Sequence, residues 1–340
     1  MNQSLLKLSK EMQKSIDLGE QYIANISINL LKILLKDNTT GSYILWATDN
    51  YAQYGNEYSI NQEIKPELII GKNTNIIQPR ASKSQSEQIK RTSEKAEVFT
   101  PSWMCNKQNN QIDNVWFGRK NIFNSEDGNL WNPIKEKIEF SESRSWIDYV
   151  NDIRLEISCG EAPYIVSRYD TVSGEYLPIE KRIGFLDRKL RVVSENCIKK
   201  AEWIKYSILA LKSVYAYEWQ GDNLVLAREN VLLSYLDYYK QQFNEIPNDK
   251  LLFEVASIIS WNIFQMDGIK YVIPNSCKNE IVSQYNLFGE NIIEEYGCEG
   301  CVKDLKSKHN GIYSKIKDWQ KNKTITFISL LLGGGNNGRV

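Results

Sequence analysis

The sequence has a single histidine, His309, and lacks both common glycine-rich phosphate-binding signatures. Neither a G-x-G-x-x-G run nor a P-loop occurs, so the simplest dinucleotide and nucleoside-triphosphate fingerprints are excluded. A hydrolase with a Ser-His-Asp mechanism would depend entirely on His309. No internal repeat is visible.

Net charge and long apolar runs are also missing. Lys plus Arg and Asp plus Glu each number 42, so a nucleic-acid binder would have to segregate its basic residues onto one face. No apolar run approaches the roughly 20 residues of a membrane span. The charged residues Lys7, Lys10, Glu11 and Lys14 interrupt the start, so no secretory signal is predicted. We expect a cytoplasmic protein without a membrane partner, whose six Cys are thiols or metal ligands.

The first 95 residues differ in composition from the rest. Apolar residues at near-helical spacing over 4–36 predict one or two amphipathic helices. From Lys72 to Lys95 basic, Ser, Gln and Asn residues dominate, which is typical of a solvated linker or of an arm that contacts phosphate. We therefore predict a helical segment with a basic linker over 1–95, and a second domain over 96–340.

Strands alternate with helices from about residue 150, which predicts an α/β fold with a βαβ-type sheet. The stretch Arg154–Tyr164 is typical of a short buried strand that carries Glu156 and ends in a tight turn with Cys159-Gly160. Ser213–Glu218 is a second predicted strand that ends in a carboxylate. Helices are predicted over 196–212 and 223–243.

The ends of these two strands favour a cofactor site. A Gly such as Gly160 allows the backbone to approach a cofactor closely. A carboxylate such as Glu218 at the end of the second strand commonly holds the ribose hydroxyls of an adenosine-containing cofactor. An ordinary buried turn and a surface acid are the alternative interpretations.

A third pattern is Ser260–Gln265, which follows an apolar segment, Leu251–Ile259, that we predict to be a strand. Asn262 at a strand end can accept a hydrogen bond from an exocyclic amine, while the ring of Phe264 stacks on a base. A base in duplex DNA must be flipped out to reach such a pocket. The alternative is an Asn in a turn.

With these residues in view, the chain resembles bacterial adenine-specific DNA methyltransferases of the restriction-modification subunit M type. Glu97-Val98-Phe99-Thr100-Pro101 is similar to their N-terminal VFTP motif, and its order relative to the two strands and Ser260–Gln265 is also theirs. Further similar stretches are Ala96–Asn109, Arg154–Asp170, Arg182–Val193, Tyr217–Asn230 and Trp261–Gly268. The resemblance implies a Rossmann-like sheet, S-adenosylmethionine as cofactor, double-stranded DNA as substrate, and methyl transfer to an amino nitrogen, most often adenine N6.

By this resemblance each motif position has an implied role. Phe99, Thr100 and Pro101 would line the methionine end of the cofactor. Glu156, Cys159 and Gly160 would form the cofactor turn, and Glu218 would hold the ribose. Asn262 and Phe264 would face the target base.

The chain departs from the family at two of these motifs. Glu161-Ala162-Pro163 follows Gly160 where a second Gly is usual, and Asn262-Ile263-Phe264-Gln265 replaces Asn-Pro-Pro-Tyr. Glu161–Tyr164 is a rival for the latter motif. The alternatives are therefore cytosine N4 methylation, or a non-catalytic DNA-binding or specificity subunit with a degenerate methyltransferase fold. A cognate restriction endonuclease is the implied protein partner. Methylation at cytosine C5 is not predicted, because it needs a nucleophilic Cys, usually after Pro, and no Pro-Cys pair occurs.

A separate cluster lies in the C-terminal part. Cys298 and Cys301 have the C-x-x-C spacing of metal ligands, and Cys277 and His309 can complete a Cys₃His set. We predict a small lobe over 276–310 that is held by a structural zinc ion. Free buried thiols are the alternative.

Overall fold

The computed structural model describes residues 19–95, 97–285 and 291–332. The N-terminal part begins with two helices, α1 (Gly19–Ile26) and α2 (Ile28–Leu35). The predicted helical pattern over 4–36 is therefore confirmed from residue 19 onward, whereas its first part lies outside the described residues. Leu30, Leu31 and Leu34 of α2 are fully buried and belong to the main core.

The remaining helices lie between and around the strands. In chain order they are α3 (Gln85–Lys95), α4 (Ser102–Phe117), α5 (Trp146–Asn151), α6 (Phe185–Asn196), α7 (Lys200–Lys212), α8 (Gly221–Phe243), α9 (Asp249–Asn262) and α10 (Glu299–Lys303). Local signals fix several of their ends. Ser145 and Asp148 form a reciprocal capping box at the start of α5, and the Asn248 side chain accepts a hydrogen bond from the Leu251 amide at the start of α9.

The strands form small separate sheets. They are β1 (Asn124–Asp127), β2 (Leu130–Pro133), β3 (Arg154–Glu156), β4 (Val214–Glu218), β5 (Ile263–Gln265), β6 (Glu280–Tyr285), β7 (Asn291–Tyr296), β8 (Lys315–Asp318) and β9 (Lys323–Thr326). The pairs β1–β2, β6–β7 and β8–β9 are antiparallel hairpins.

The sheet that matters for function is parallel and has the order β3-β4-β5. Its register pairs Glu156 with Ala216 and Glu218 with Gln265, so the carboxyl ends of the strands meet at one edge. Helices α6 and α7 connect β3 to β4, and α8 and α9 connect β4 to β5. The predicted α/β class is therefore confirmed, and helices connect the successive parallel strands as expected.

One hydrophobic core joins these helices to the sheet. It contains Leu34 of α2, Val193 of α6, Leu232 of α8 and Ile259 of α9. The core therefore continues across residue 95, where the sequence predicts a boundary between two segments.

Two parts of the sequence prediction differ from the structure. Leu251–Ile259 is not a strand: it belongs to helix α9, whose length and Asn248 cap favour a helix. The stretch Lys72–Lys95 is not a solvated arm throughout, because Lys83 and Arg91 are buried. They are buried because both lie beside the carboxylate of Asp222, which compensates their charge.

No helix within the described ranges has both the length and the apolar character needed to span a membrane.

Candidate functional site

The carboxyl ends of β3 and β4 are joined by a side chain. Glu218 Oε2 accepts a hydrogen bond of 2.8 Å from the backbone N–H of Gly160, and Oε1 accepts one of 3.0 Å from that of Gln220. The side chain is buried, and burial raises the pKa of Glu218 to about 7. This carboxyl therefore changes its charge near neutral pH and holds the turn after β3 against the end of β4.

The turn after β3 has an unusual backbone. Ser158, Gly160 and Ala162 all adopt positive φ angles of 47°, 54° and 62°. Non-glycine residues in this region carry strain, which surrounding contacts must hold in place. Glu156 supplies such contacts, because its two carboxylate oxygens accept hydrogen bonds from the amides of Tyr164 and Ile165 at 3.3 and 3.1 Å.

A cavity of about 490 Å³ opens at this edge of the sheet, and we call it the first cavity. The predicted cofactor residues Phe99, Gly160 and Glu218 line it together. Their separation in the chain shows that the fold brings three distant motifs to one place. Ligand sites commonly have volumes of roughly 300–1,000 Å³.

Three further residues of the first cavity carry unpaired oxygen atoms. Thr48 Oγ1, Glu97 Oε1 and Asn223 Oδ1 are buried and have no hydrogen-bond partner within the described part of the chain. An unpaired buried polar atom costs about 1–3 kcal/mol. A ligand that donated hydrogen bonds to these oxygens would remove that cost.

The ionisable side chains that line the first cavity are all acidic. Glu97 and Glu218 line it, and no Lys or Arg among the described residues does so. Behind the wall, Arg91 Nη1 lies 2.7 Å from Asp222 Oδ2 and 3.3 Å from Glu97 Oε2. Burial opposes ionisation of Asp222, but Arg91 and Lys83 outweigh it, so the pKa of Asp222 lies below its ordinary value. This pairing positions Glu97 and leaves its Oε1 unpaired.

A second cavity of about 400 Å³ lies beside the first. The two share four lining residues, which are Val98, Phe99, Ser158 and Gly160. The Phe99 ring packs so closely on Gly160 that a Cβ there would lie 3.3 Å from it. Phe99 therefore separates two adjacent cavities of ligand size.

The other predicted turn and motif residues surround the second cavity. Thr100, Glu156 and Cys159 line it, and Pro101 immediately precedes α4. Cys159 is buried, and burial raises the pKa of its thiol well above the ordinary value, so the protonated thiol packs there as an apolar group. The residues assigned to the cofactor turn are thus brought together.

Asn262 and Phe264 lie elsewhere. Asn262 ends α9, at the amino end of β5 and hence at the opposite edge of the sheet from Gly160 and Glu218. Its side-chain amide donates to the carbonyls of Leu211 and Val214 at 3.0 and 2.9 Å, and accepts 2.7 Å from Trp319 Nε1. The expected placement beside the cofactor turn is wrong, because the preceding segment is a helix and not a strand.

Phe264 is part of a small core between the sheet and the C-terminal hairpin. It is buried with Tyr217 and Phe327, at ring-centroid distances of 6.2 and 5.7 Å. It lines neither the first nor the second cavity. This environment provides packing and no approach to the cofactor turn.

The C-terminal cysteines and His309 form a compact cluster that can hold a metal ion. The ligand atoms of Cys277, Cys298, Cys301 and His309 all lie within 4.8 Å of one another. His309 Nδ1 is 3.7, 3.7 and 3.6 Å from the three Sγ atoms in that order. A tetrahedral ion with metal–sulfur and metal–nitrogen bonds of about 2.3 and 2.0 Å places S and N about 3.5 Å apart, so the donor set fits.

The backbone around this cluster leaves little spare room. A Cβ on Gly300 would lie 2.6 Å from the His309 amide nitrogen and 2.7 Å from Nδ1. The amide of Asn310 donates to Cys298 Sγ at 3.3 Å, which favours a thiolate at that position. The predicted Cys/His cluster is confirmed as a group that can bind a metal.

Sequence reasoning assigned no role to the four cavity residues that carry unpaired buried oxygens: Thr48, Glu97, Asn223 and Asn109. Two of them had an available signal. Glu97 immediately precedes the Val98–Pro101 motif, and Asn223 lies where helix α8 follows the Glu218 strand. Thr48 and Asn109 lie in stretches without a chemical signature.

No family model, no curated protein and no solved structure matches this chain.

Proposed function

We propose that this protein is an S-adenosylmethionine-dependent methyltransferase that acts on an exocyclic amino group of a DNA base, most often adenine N6. The observation that carries the proposal is the pair of cavities divided by Phe99 and Gly160. A group-transfer enzyme needs a donor site and an acceptor site in direct contact, because the reacting atoms must come within about 3–3.5 Å. The first cavity is the donor site and the second is the acceptor site, so Thr100, Glu156 and Cys159, which the resemblance assigns to the cofactor, would instead lie on the acceptor side.

The polar groups of the first cavity favour this cofactor over phosphate-containing ones. An acidic lining repels phosphate, whereas ribose hydroxyls and an ammonium group donate hydrogen bonds to acceptors such as Glu97, Asn223 and Glu218. When bound, S-adenosylmethionine supplies a positively charged sulfonium that gives up its methyl group. The consecutive βαβ connections, with a cavity at the carboxyl ends of β3 and β4, support a Rossmann-like sheet.

Calorimetry with S-adenosylmethionine tests the donor site. Asn223→Leu removes an unpaired acceptor of the first cavity, and we expect at least about ten-fold weaker binding, the scale of one lost hydrogen bond from a buried site. Asn196→Leu, at the end of α6 and outside both cavities, is the matched control and is expected to bind as the native protein does. Absence of binding to the native protein, alone or with DNA, would refute the proposal.

Catalysis is tested by transfer of a radiolabelled methyl group to duplex DNA, followed by nucleoside analysis. We expect the label in N6-methyladenine. Label in N4-methylcytosine would change the target base but keep the reaction class.

A second candidate is a non-catalytic DNA-binding or specificity subunit that pairs with a cognate restriction endonuclease. The position of Asn262 favours it, because both ends of that amide are used by the fold. Under this alternative the protein binds S-adenosylmethionine but transfers no methyl group by itself. Either role on DNA implies a cytoplasmic protein.

For the Cys₃His cluster we propose zinc in a closed structural site. Three thiolates and one imidazole are a donor set that zinc prefers, and four protein ligands leave no position for a substrate. The ion would join Cys277 to the Cys298–His309 segment and so stabilise the C-terminal lobe.

A further inference from the structure

The second cavity contains an unused hydrogen-bond acceptor on α4. Asn109 is fully buried and lines this cavity. Its Nδ2 donates to the carbonyls of Tyr164 and Ile183 at 3.2 and 3.0 Å. Its Oδ1 has no hydrogen-bond partner among residues 19–95, 97–285 and 291–332.

The two donated hydrogen bonds determine which end of the Asn109 side-chain amide is unpaired. An Asn amide can be built in two orientations, and the hydrogen-bond network decides between them. Here both bonds of the nitrogen go to carbonyl oxygens, so an exchanged orientation would set oxygen against oxygen. The remaining oxygen is thus the end of the amide that lacks a partner.

The surroundings of Asn109 suit a flat, apolar molecule with one amino group. Phe99, Tyr164 and Phe185 provide aromatic lining, and Val98 and Ile157 form an exposed apolar rim. Aromatic faces stack on bases of any sequence. An exocyclic amine on such a base would supply the donor that Oδ1 lacks.

From this geometry we infer that Asn109 Oδ1 binds the exocyclic amino group of a nucleobase in the second cavity and so selects amino-bearing bases. This inference rests on the proposed function and names the residue that recognises its acceptor. On this inference the contact to the target amine comes from Asn109 on α4 and not from Asn262. During transfer the amine nitrogen would form the bond to the methyl carbon as the sulfonium–carbon bond breaks, and the amine would then lose one proton to solvent.

Nucleoside pairs that differ by one amino group test the inference. The probes are 2′-deoxyadenosine against purine 2′-deoxyriboside, and 2′-deoxycytidine against its analogue without the amino group. Binding to the full chain is followed by ligand-observed NMR, with and without S-adenosylhomocysteine. We expect one amino-bearing nucleoside to bind at least about five-fold more tightly than its partner, the lower end of the effect of one buried hydrogen bond.

Two variants separate the acceptor from the structural role of the same side chain. Asn109→Ala loses the bonds donated to Tyr164 and Ile183 and the free oxygen, whereas Asn109→Asp, as the protonated acid, donates to one of the two carbonyls and keeps a free oxygen. We expect the preference for the amino-bearing nucleoside to vanish in Asn109→Ala and to persist in Asn109→Asp. Asn110→Ala, whose side chain bonds to Asn124, Glu126 and Arg188 instead, is expected to keep it.

Equal binding of both members of each pair by the native protein would overturn the inference, as would an undiminished preference in Asn109→Ala. These results are independent of the donor site. If S-adenosylhomocysteine does not bind while the amine preference is present, the proposed methyl donor is wrong and the base site stands. If it binds while the preference is absent, the role of Asn109 is wrong and the cofactor site stands.

Discussion

Glu218 Oε2 lies 2.8 Å from the backbone nitrogen of Gly160 and accepts its hydrogen bond, across 58 positions of chain. One carboxylate therefore fixes the ends of two neighbouring strands. Any ligand that binds between these strands meets a group that is already oriented, which lowers the entropy cost of binding.

This arrangement predicts a pH-dependent stability that Glu218→Gln removes. Burial raises the pKa of Glu218 in the folded protein to about 7, whereas an unfolded chain releases that proton near 4.5. The folded state therefore holds a proton that the unfolded state has lost, and the free energy of unfolding falls between pH 4.5 and 7, by roughly 2–3 kcal/mol.

Urea unfolding of both proteins at pH 5 and pH 8 measures this effect. We expect native protein to lose more stability than Glu218→Gln across the interval. Other buried acids such as Glu161 are common to both proteins, so the difference reports Glu218 together with its charge interaction with Glu156. The same pH dependence in both proteins would contradict the prediction.

Asn262→Ala is expected to destabilise the fold and leave cofactor binding unchanged. The substitution leaves the carbonyls of Leu211 and Val214 and the Trp319 N–H without their partner. We expect a loss of about 2–4 kcal/mol in the free energy of unfolding, measured by urea denaturation, because several buried groups lose hydrogen bonds together. A variant of native stability that has lost methyl transfer would return Asn262 to a catalytic role.

Metal analysis of native protein is expected to find one zinc ion per chain. Chelation or Cys298→Ser should release it and expose the C-terminal lobe to limited proteolysis, because binding and folding of such sites are coupled. Cys197→Ser provides the control, since Cys197 is a buried thiol outside the cluster. If the native protein contains no zinc and its C-terminal lobe resists proteolysis equally well before and after chelation, the cluster consists of free thiols.

A buried ion pair at α6 gives a prediction that is independent of any ligand. Arg188 Nη1 lies 2.6 Å from Asp113 Oδ2, and both side chains are 1% exposed. Arg188→Met removes the closer of the two arginines that face this buried carboxylate and leaves only Arg154, whose Nη2 lies 3.6 Å from Asp113 Oδ1, so it should cost about 3 kcal/mol of stability, the lower end for breaking a buried pair. Lys200→Met breaks the exposed pair with Glu245 and should cost less than about 1 kcal/mol. Similar losses from the two substitutions in urea denaturation would refute this contrast.

The sequence was most informative where a local pattern has one physical meaning. The strand that ends at Glu218 and the helices on either side of it follow from apolar periodicity and are present as predicted. The Cys/His cluster follows from ligand spacing, which restricts both identity and distance. Sequence neighbours determine the strand, the helices and the Cys298–Cys301 pair, whereas the fold brings Cys277 and His309 to that pair.

The prediction failed where tertiary contacts decide. Apolar periodicity alone fits a buried strand or a buried helix over Leu251–Ile259, whereas the Asn248 cap selects the helix, which moves Asn262 to the other edge of the sheet. The unpaired oxygens of Thr48 and Asn109 have no sequence signature, because they are defined by the absence of a donor in the folded chain. The positive φ angles at Ser158 and Ala162 are likewise imposed by contacts from elsewhere.

The single aromatic ring between the two cavities has a thermodynamic consequence. A molecule that shifts Phe99 changes the space available on both sides, so occupancy of either cavity alters the affinity of the other. Linkage makes that influence equal in both directions. The strained turn next to Gly160 limits how far the Phe99 ring can move. The size of the coupling between the two cavities therefore measures how rigidly Phe99 is held.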